Sequence, residues 1–261
     1  MTNKCKEKAF QTITYCASLF TIIALWAIIY SLFKEGLPLF SKVSVFDFLL
    51  GCGWYPTNGE PEFGAWTLII GSLSVTIGAL LIGIPLGLGS AIFIAEIAGN
   101  RIKEIVKPLI ELLAGIPSVV YGLFGMSFLA PQIRIWLNLD TGLNVFSASL
   151  ILGIMIVPIV ASMSEDALSS VPKSLREAAL ALGSTKMECI LLVIIPAAKR
   201  GILGSIMLGV GRAIGETMVV LMVAGGSAQI PQGVFSSVRP LTSTIAAEMG
   251  ETVIGSLHYQ S

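Results

Sequence analysis

Charged residues are scarce in this sequence, and histidine is almost absent. Only 12% of the 261 residues are Asp, Glu, Lys or Arg, which is about half the fraction that soluble domains carry. Hydrophobic residues make up 54%, more than one soluble core can bury, so much of this surface must face lipid. The net charge is zero, which argues against nucleic acid as a partner. The composition therefore predicts an integral membrane protein.

The sequence has few residues that could form a metal site, a disulfide or an enzyme active site. The four cysteines, Cys5, Cys16, Cys52 and Cys189, match the spacing of neither a zinc site nor a disulfide framework, and we interpret them as small apolar side chains. The single histidine, His258, disfavours a histidine-based metal site. The sequence contains no G-x-x-x-x-G-K-[ST], H-E-x-x-H or G-x-S-x-G motif. We therefore expect no catalytic residue, metal or cofactor.

Long uncharged runs recur along the chain, and a membrane-spanning helix needs about 20 apolar residues. The runs cover residues 9–33, 63–95, 112–133, 141–164 and about 201–225, the last interrupted by Arg212 and Glu216. The first run is too long for a signal peptide and lacks a small-residue cleavage site, so we interpret it as a retained span. In the second run we expect a short surface helix around Trp66 and a span from about Ile69. The pattern predicts an all-α polytopic transmembrane bundle with at least five spans.

Lysine and arginine indicate the orientation, because cytoplasmic loops carry an excess of them. With a cytoplasmic N-terminus, eleven of these residues lie on the cytoplasmic side and four on the outer side, while Arg212 lies inside the membrane. The eleven are Lys4, Lys6, Lys8, Arg101, Lys103, Lys107, Lys173, Arg176, Lys186, Lys199 and Arg200, and the four are Lys34, Lys42, Arg134 and Arg239. We therefore predict a cytoplasmic N-terminus, and we expect Glu96, Arg101, Glu104 and Lys107 to form a solvated loop.

Small residues and prolines mark where the spans pack and where they break. Small residues four apart let helices approach closely; they are Gly83 and Gly87, Gly211 and Gly215, and the row Ser205, Gly209 and Ala213. Pro85, Pro117 and Pro158 lie within the apolar runs and should kink or break them. The strongest break is predicted at Gly115, Pro117 and Ser118, where broken helices could line a transport path. Ordinary bundle packing is the alternative for each kink.

The most informative connection is residues 164–200. Ser174 and Glu177 have capping-box spacing, and an apolar face of Leu175, Ala178, Ala179 and Leu182 follows at helical spacing. Gly183 is expected to end this helix. A second capping box, Thr185 with Glu188, begins another helix, which Pro196 is expected to interrupt. The pattern predicts a helix–turn–helix that docks into a groove of a partner; a connector lying on the membrane surface is the alternative.

The segment Glu177-Ala178-Ala179-Leu180-Ala181-Leu182-Gly183, followed after nine residues by Val193-Ile194-Ile195-Pro196, resembles the EAA motif of ABC-importer permeases. Val193 and Ile195 stand where the family pattern has Ile and Leu. In that family the loop is the coupling helix that docks on the ATPase subunit. The resemblance therefore implies a coupling role for Ser174, Glu177, Ala178, Ala179, Gly183 and Pro196.

Further segments resemble the phosphate-specific branch of these permeases, and in particular the C subunit of its two paired permeases. They are residues 112–122, 211–218, 54–56, 63–64 and 255–259. The resemblance implies one permease domain over residues 1–261, with an N-terminal span at about 9–33 and a core at about 65–261. It also implies a second homologous permease, a cytoplasmic ATPase dimer that binds the ATP, and an extracytoplasmic phosphate-binding protein. The family continues into a sixth span beyond the position of Ser261, so we expect this chain to be truncated.

Arg212 and Glu216 form a predicted pair within the fifth apolar run. A charge in lipid costs roughly 2.5 kcal/mol or more, but the two can pair at i, i+4, so both should face the bundle interior. Arginine matches phosphate oxygens with its planar fork, and the resemblance implies that this pair lies in the phosphate path. A structural salt bridge is the alternative role for the pair. A permease for sulfate or molybdate, or a scaffold without transport, are the alternative functions of the chain.

Overall fold

The computed structural model describes residues 2–57, 61–253 and 255–261, and helices make up most of that part of the chain. A two-stranded antiparallel ribbon, β1 with β2, is the sheet in the described residues. The elements are α1 (Thr2–Gly36), α2 (Val45–Leu50), β1 (Trp54–Tyr55), β2 (Glu62–Phe63), α3 (Trp66–Ile92), α4 (Asn100–Ala114), α5 (Ser118–Phe124), α6 (Ala130–Leu137), α7 (Val145–Ser169), α8 (Lys173–Ala181), α9 (Lys186–Glu188), α10 (Ile195–Ile214), α11 (Met218–Val223), α12 (Leu241–Glu248) and α13 (Leu257–Gln260). Wider π-helical turns extend α3 over Phe93–Ile97, join α5 to α6 over Gly125–Leu129, and join α9 to α10 over Cys189–Ile194. The predicted all-α class is therefore confirmed.

Helices α3 and α7 form the centre of the fold, and glycine lets them approach closely. A Cβ built at Gly83 would lie 2.9 Å from the carbonyl oxygen of Gly153. A Cβ built at Gly87 would lie 2.8 Å from Cβ of Val160. No side chain fits in either place without moving the helices apart, so the predicted packing face of Gly83 and Gly87 is confirmed.

Helix α10 also packs against α7, through a second row of small residues. Ser205, Gly209 and Ala213 are all buried. The hydroxyls of Ser164 and Ser205 lie 2.6 Å apart and share a hydrogen bond, which satisfies both groups inside an apolar interface. The predicted Gly211–Gly215 face is not a packing face within the described chain, because both glycines are exposed and a Cβ at Gly211 would meet nothing within 4 Å.

Among the described residues, four helices are long and apolar enough to cross a membrane, and five spans result when one bent pair counts as a single span. The predicted minimum of five spans is reached only when the bent pair is counted as one span. Helix α1 is the first of the four, and none of its most apolar 18-residue window is buried against the rest of the chain. Its apolar side chains therefore face outward all round.

One predicted detail of the spans is wrong, and two of the three prolines lie inside continuous helices. Trp66 is the first residue of α3 and not part of a separate surface helix, because nothing between Trp66 and Ile69 stops helical hydrogen bonding. Pro85 and Pro158 lie inside α3 and α7 without ending either helix. Continuous helix on both sides, packed against a neighbour, holds the chain in place where a proline removes one hydrogen bond.

The third apolar run divides where the strongest break was predicted. Residues Arg101–Ala114 and Ser118–Leu137 form two helical stretches bent by 88°. The predicted span 112–133 therefore has wrong boundaries, because its first residues are the last turn of α4. The expected solvated loop is wrong as well, since Arg101, Glu104 and Lys107 belong to α4.

Candidate functional site

Arg212 lies in the last turn of α10, and Glu216 lies in the break between α10 and α11. Helix α10 ends at Ile214, and α11 begins at Met218. The predicted continuous span over 201–225 is therefore wrong at this point. The carboxylate of Glu216 explains the interruption, because its Oε1 accepts a hydrogen bond from the backbone N–H of Val219 at 3.2 Å and so caps the first turn of α11.

The two side chains form the ion pair that their spacing predicts. Nη2 of Arg212 lies 3.2 Å from Oε2 of Glu216. Three groups contact Glu216. Arg212 and the N–H of Val219 contact its carboxylate, and Thr242 Oγ1 donates to its backbone carbonyl at 2.7 Å. Its side chain is only 2% exposed, whereas that of Arg212 is 41% exposed. The carboxylate of Glu216 is thus held inside the protein, whereas the guanidinium of Arg212 is exposed.

The exposed guanidinium has donors to spare. Arginine carries five N–H donors, and the described contacts of Arg212 engage Nη2 alone, with Glu216 and, at 3.9 Å, with the sulfur of Met155. Nε and Nη1 have no hydrogen-bond partner among the described residues. Such a group can bind a planar or tetrahedral oxyanion in a two-pronged manner, while the neighbouring carboxylate limits how tightly the anion is held.

The predicted break at Gly115–Ser118 is confirmed. Gly115 ends α4, and Pro117 has an extended conformation from which Ser118 begins α5. The hydroxyl of Tyr121 donates to the carbonyl of Leu113 at 3.0 Å, which satisfies a backbone group near the end of α4.

The helices that follow the two breaks pack against each other. A Cβ built at Gly122 of α5 would lie 3.3 Å from the carbonyl oxygen of Met218 in α11. The structure thus joins the Gly115–Ser118 break to the Arg212–Glu216 break through α5 and α11.

The helix–turn–helix predicted from residues 164–200 is present as α8 and α9, with Gly183 between them at φ +85°. Thr185 and Glu188 form the predicted capping box: Thr185 Oγ1 accepts from the Glu188 N–H at 3.3 Å, and Glu188 Oε2 accepts from the Thr185 N–H at 2.7 Å. Ala179 is the buried residue of α8, whereas Glu177 and Ala178 are exposed. The predicted face of four apolar residues is therefore buried at one position only.

Two predictions about this segment are wrong. Ser174 does not cap α8, because the helix begins one residue earlier, at Lys173, with Pro172 in the capping position. Proline has a fixed φ that suits the start of a helix, so Ser174 lies inside the first turn. Pro196 does not interrupt the second helix, since residues 186–214 form one candidate span. The π-helical turns before Pro196 let the helix accommodate the missing backbone donor.

An apolar surface surrounds the Gly183 turn. Leu180 is 52% exposed, Leu182 is 89% exposed and Met187 is 58% exposed. Large apolar side chains grouped on one exposed turn typically mark a protein interface or a membrane contact.

Two ionic clusters join residues that the sequence did not indicate as partners. Glu96, expected in a solvated loop, forms an ion pair with Arg176 of α8 at 2.7 Å. Lys107, also expected in that loop, forms an ion pair with Glu165 of α7 at 2.6 Å. A signal existed for the second cluster, because Glu165 directly follows the fourth apolar run and a carboxylate there needs a partner.

Comparison with known proteins gives a family and several relatives. Residues 83–255 match the family described as binding-protein-dependent transport system inner membrane component. A protein of Bacillus subtilis (strain 168), named probable ABC transporter permease protein YqgH, is 42% identical over 94% of this chain and 80% of its own length. The phosphate transport system permease protein PstC of Haemophilus influenzae is 35% identical over 94% of this chain and 83% of its own length.

One solved structure supports the fold. A chain in inward-facing conformations of the MetNI methionine ABC transporter superposes with a TM-score of 0.54, covering 75% of this chain and 82% of that chain. The sequences are 20% identical, so this likeness concerns the fold alone. The family model covers more than half of the chain, and the Bacillus relative is similar along nearly all of it. The chain therefore belongs to the inner membrane components of binding-protein-dependent transport systems, and it is a multi-pass membrane protein.

Proposed function

We propose that this chain is the membrane-spanning permease subunit of an ATP-driven ABC importer that moves inorganic phosphate into the cell. Relatives named phosphate transport system permease protein are 31–35% identical over more than nine tenths of the chain. The observation that carries the proposal is the exposed guanidinium of Arg212 beside the fixed carboxylate of Glu216.

The pair suits the passage of a doubly charged anion. A phosphate entering a low-dielectric path needs a compensating cation, and Arg212 supplies one together with unused N–H donors. Glu216 competes for the same guanidinium at 3.2 Å. This competition lets the anion leave, because the carboxylate takes back the positive charge when phosphate moves on. The break at Gly115, Pro117 and Ser118 supplies irregular backbone before α5, which packs against α11, and such backbone is tolerated in membranes where it lines a path.

In this proposal the turn between α8 and α9 docks on a cytoplasmic ATPase dimer. The exposed Leu182 and Met187 match the apolar anchors expected at such an interface. ATP is bound by that partner, since the chain has no phosphate-binding loop of its own. A second homologous permease completes the path, an outer phosphate-binding protein delivers the substrate, and the N-terminus lies in the cytoplasm.

The test is phosphate uptake by vesicles that hold the full complex, comparing Arg212→Gln with the wild-type chain. A hydrogen bond to a charged group contributes about 1.5–3 kcal/mol, so uptake should fall by about 10- to 150-fold. The complex should still assemble and still hydrolyse ATP, because Arg212 is exposed and caps no helix. Arg101→Gln is the matched control, since it removes the same charge from an exposed position on α4.

Equal uptake by Arg212→Gln and Arg101→Gln, with the complex assembled, would reduce the pair to a structural salt bridge. Stronger competition by sulfate or molybdate than by unlabelled phosphate would assign the path to another anion. A chain that binds no ATPase at all would be a scaffold and not a permease.

A further inference from the structure

Arg176 lies on α8 and bonds to two spans at once. Its Nη2 donates to Oε1 of Glu96 at 2.7 Å and to the carbonyl of Leu168 at 2.9 Å, while Nη1 donates to the carbonyl of Val171 at 2.9 Å. Glu96 belongs to the extension of α3, Leu168 to the last turns of α7, and Val171 follows α7 directly. One guanidinium therefore connects α8 with the ends of α3 and α7.

The electrostatics of this site favour a cation. The last carbonyls of a helix carry its partial negative charge and lack partners within the helix, and Arg176 supplies donors to carbonyls at the end of α7. Glu96 adds a full negative charge, and its side chain is only 9% exposed. The side chain of Arg176 is 22% exposed, so solvent screens the contact less than it would screen a surface pair.

Arg176 makes the polar contacts that attach α8 to α3 and α7. Among the nine residues of that helix, one is buried, and it is the small side chain of Ala179. A single alanine buries little apolar area. Ala179 packs with Leu168 and Ile190 in an apolar cluster, and the hydrogen bonds of Arg176 add the directional contacts that hold α8 to the ends of α3 and α7.

Helix α7 links this attachment to the candidate path. Leu168 follows Met155 by thirteen residues, which corresponds to about 20 Å along a helix. Met155 lies on the same continuous helix, and its sulfur is 3.9 Å from Nη2 of Arg212. The two ends of this stretch thus contact the arginine of α8 and the arginine of the path.

We propose that Arg176 is the positioning residue that transfers movement of α8 to α3 and α7, and through α7 to the surroundings of Arg212. The inference rests on the proposed function, because it requires an ATPase at α8 and phosphate at Arg212. Arg176 touches no substrate and acts through the spans it holds. With the bonds intact, a displaced α8 carries the ends of both spans with it. Without them, α8 keeps only its apolar packing around Ala179, and ATP is hydrolysed with little transport.

The test compares Arg176→Gln with the wild-type chain in the full complex reconstituted in vesicles. Two quantities are measured: the amount of ATPase retained on the permease and the phosphate transported per ATP hydrolysed. Retention should be unchanged, because the exposed apolar side chains around Gly183 are untouched. The transport ratio should fall by about 2- to 30-fold, the range expected for loss of one link in a coupled network. Arg101→Gln is again the control and should keep the wild-type ratio.

A second variant, Glu96→Gln, leaves α8 itself unaltered and removes only its charged partner on the α3 extension. It should lower the ratio in the same direction but by less, since the carbonyls of Leu168 and Val171 still hold Arg176. The exchange of Glu96→Arg with Arg176→Glu should not restore the ratio, because the new carboxylate would face those carbonyls. Rescue by this exchange would overturn the proposal, because a simple ion pair would then suffice.

Wild-type ratios in both Arg176→Gln and Glu96→Gln would also overturn it. Loss of the ATPase in Arg176→Gln, with a normal ratio in Glu96→Gln, would make Arg176 a docking residue and would refute the transfer role. Failure of the proposed function is a separate result, because it would appear as absence of phosphate transport by the wild-type complex itself.

Discussion

The contact between α3 and α7 can be tested by adding one methyl group at Gly87. A Cβ there would lie 2.8 Å from both Cβ and Cγ1 of Val160, whereas carbon atoms in good contact are about 3.5–4.0 Å apart. Valine has one strongly preferred χ1 in a helix, so Val160 cannot swing away. The helices must therefore separate by several tenths of an ångström along their closest contact.

Such overpacking costs about 1–3 kcal/mol. Gly→Ala in a helix also gains up to about 1 kcal/mol in propensity, which would mask part of the loss. Gly89→Ala removes this ambiguity, because Gly89 lies on the same helix and a Cβ there meets nothing within 4 Å. The propensity gain is common to both variants, so their difference reports the clash alone.

The assay is thermal unfolding of the two purified variants in the same detergent, followed by circular dichroism. One kcal/mol corresponds to about 2–4 °C in a chain of this size, so Gly87→Ala should unfold about 2–12 °C below Gly89→Ala. Equal unfolding temperatures of the two variants would refute the close packing of α3 on α7 between Gly87 and Val160.

Two further predictions concern the other packed and strained positions. Gly183→Ala places a side chain at φ +85°, which costs about 1–2 kcal/mol. This variant should therefore retain less ATPase in a pull-down than Gly204→Ala, which alters an open helical position. Equal retention by the two variants would contradict the need for a left-handed turn at Gly183. Ser164→Ala and Ser205→Ala should show an interaction energy of about 0.5–1.5 kcal/mol in a double-mutant cycle of thermal unfolding, because each removes the same hydrogen bond; additive effects would contradict that bond.

Local patterns predicted local structure well. Gly83 and Gly87 predicted a packing face, which the structure places against α7, and the Thr185–Glu188 spacing predicted a capping box that the structure contains. The break at Gly115–Pro117 was also evident, because glycine weakens a helix and proline cannot continue its hydrogen bonding. In each of these cases the determining atoms lie within one or two turns of chain.

Contacts between distant segments were not predictable in this way. Glu96 and Arg176 are eighty residues apart, and each alone resembles an ordinary cytoplasmic charge. Only the folding of α8 against the ends of α3 and α7 makes them partners. The prediction for Ser174 is wrong for a different reason. Pro172 lies two residues upstream of Ser174, and the helix begins directly after this proline.

The break after Ile214 also departs from the sequence pattern, and it accounts for the unequal exposure of the charge pair. On a continuous helix, Arg212 and Glu216 would share one face and have similar surroundings. The break turns Glu216 inward, where its Oε1 accepts a hydrogen bond from the N–H of Val219 and its backbone carbonyl accepts one from the hydroxyl of Thr242. Its Oε2 pairs with Nη2 of Arg212, and the other guanidinium nitrogens keep their donors for another anion. Glu216, which lies in the break after α10, thus also leaves donors on Arg212 that phosphate in the candidate path can bind.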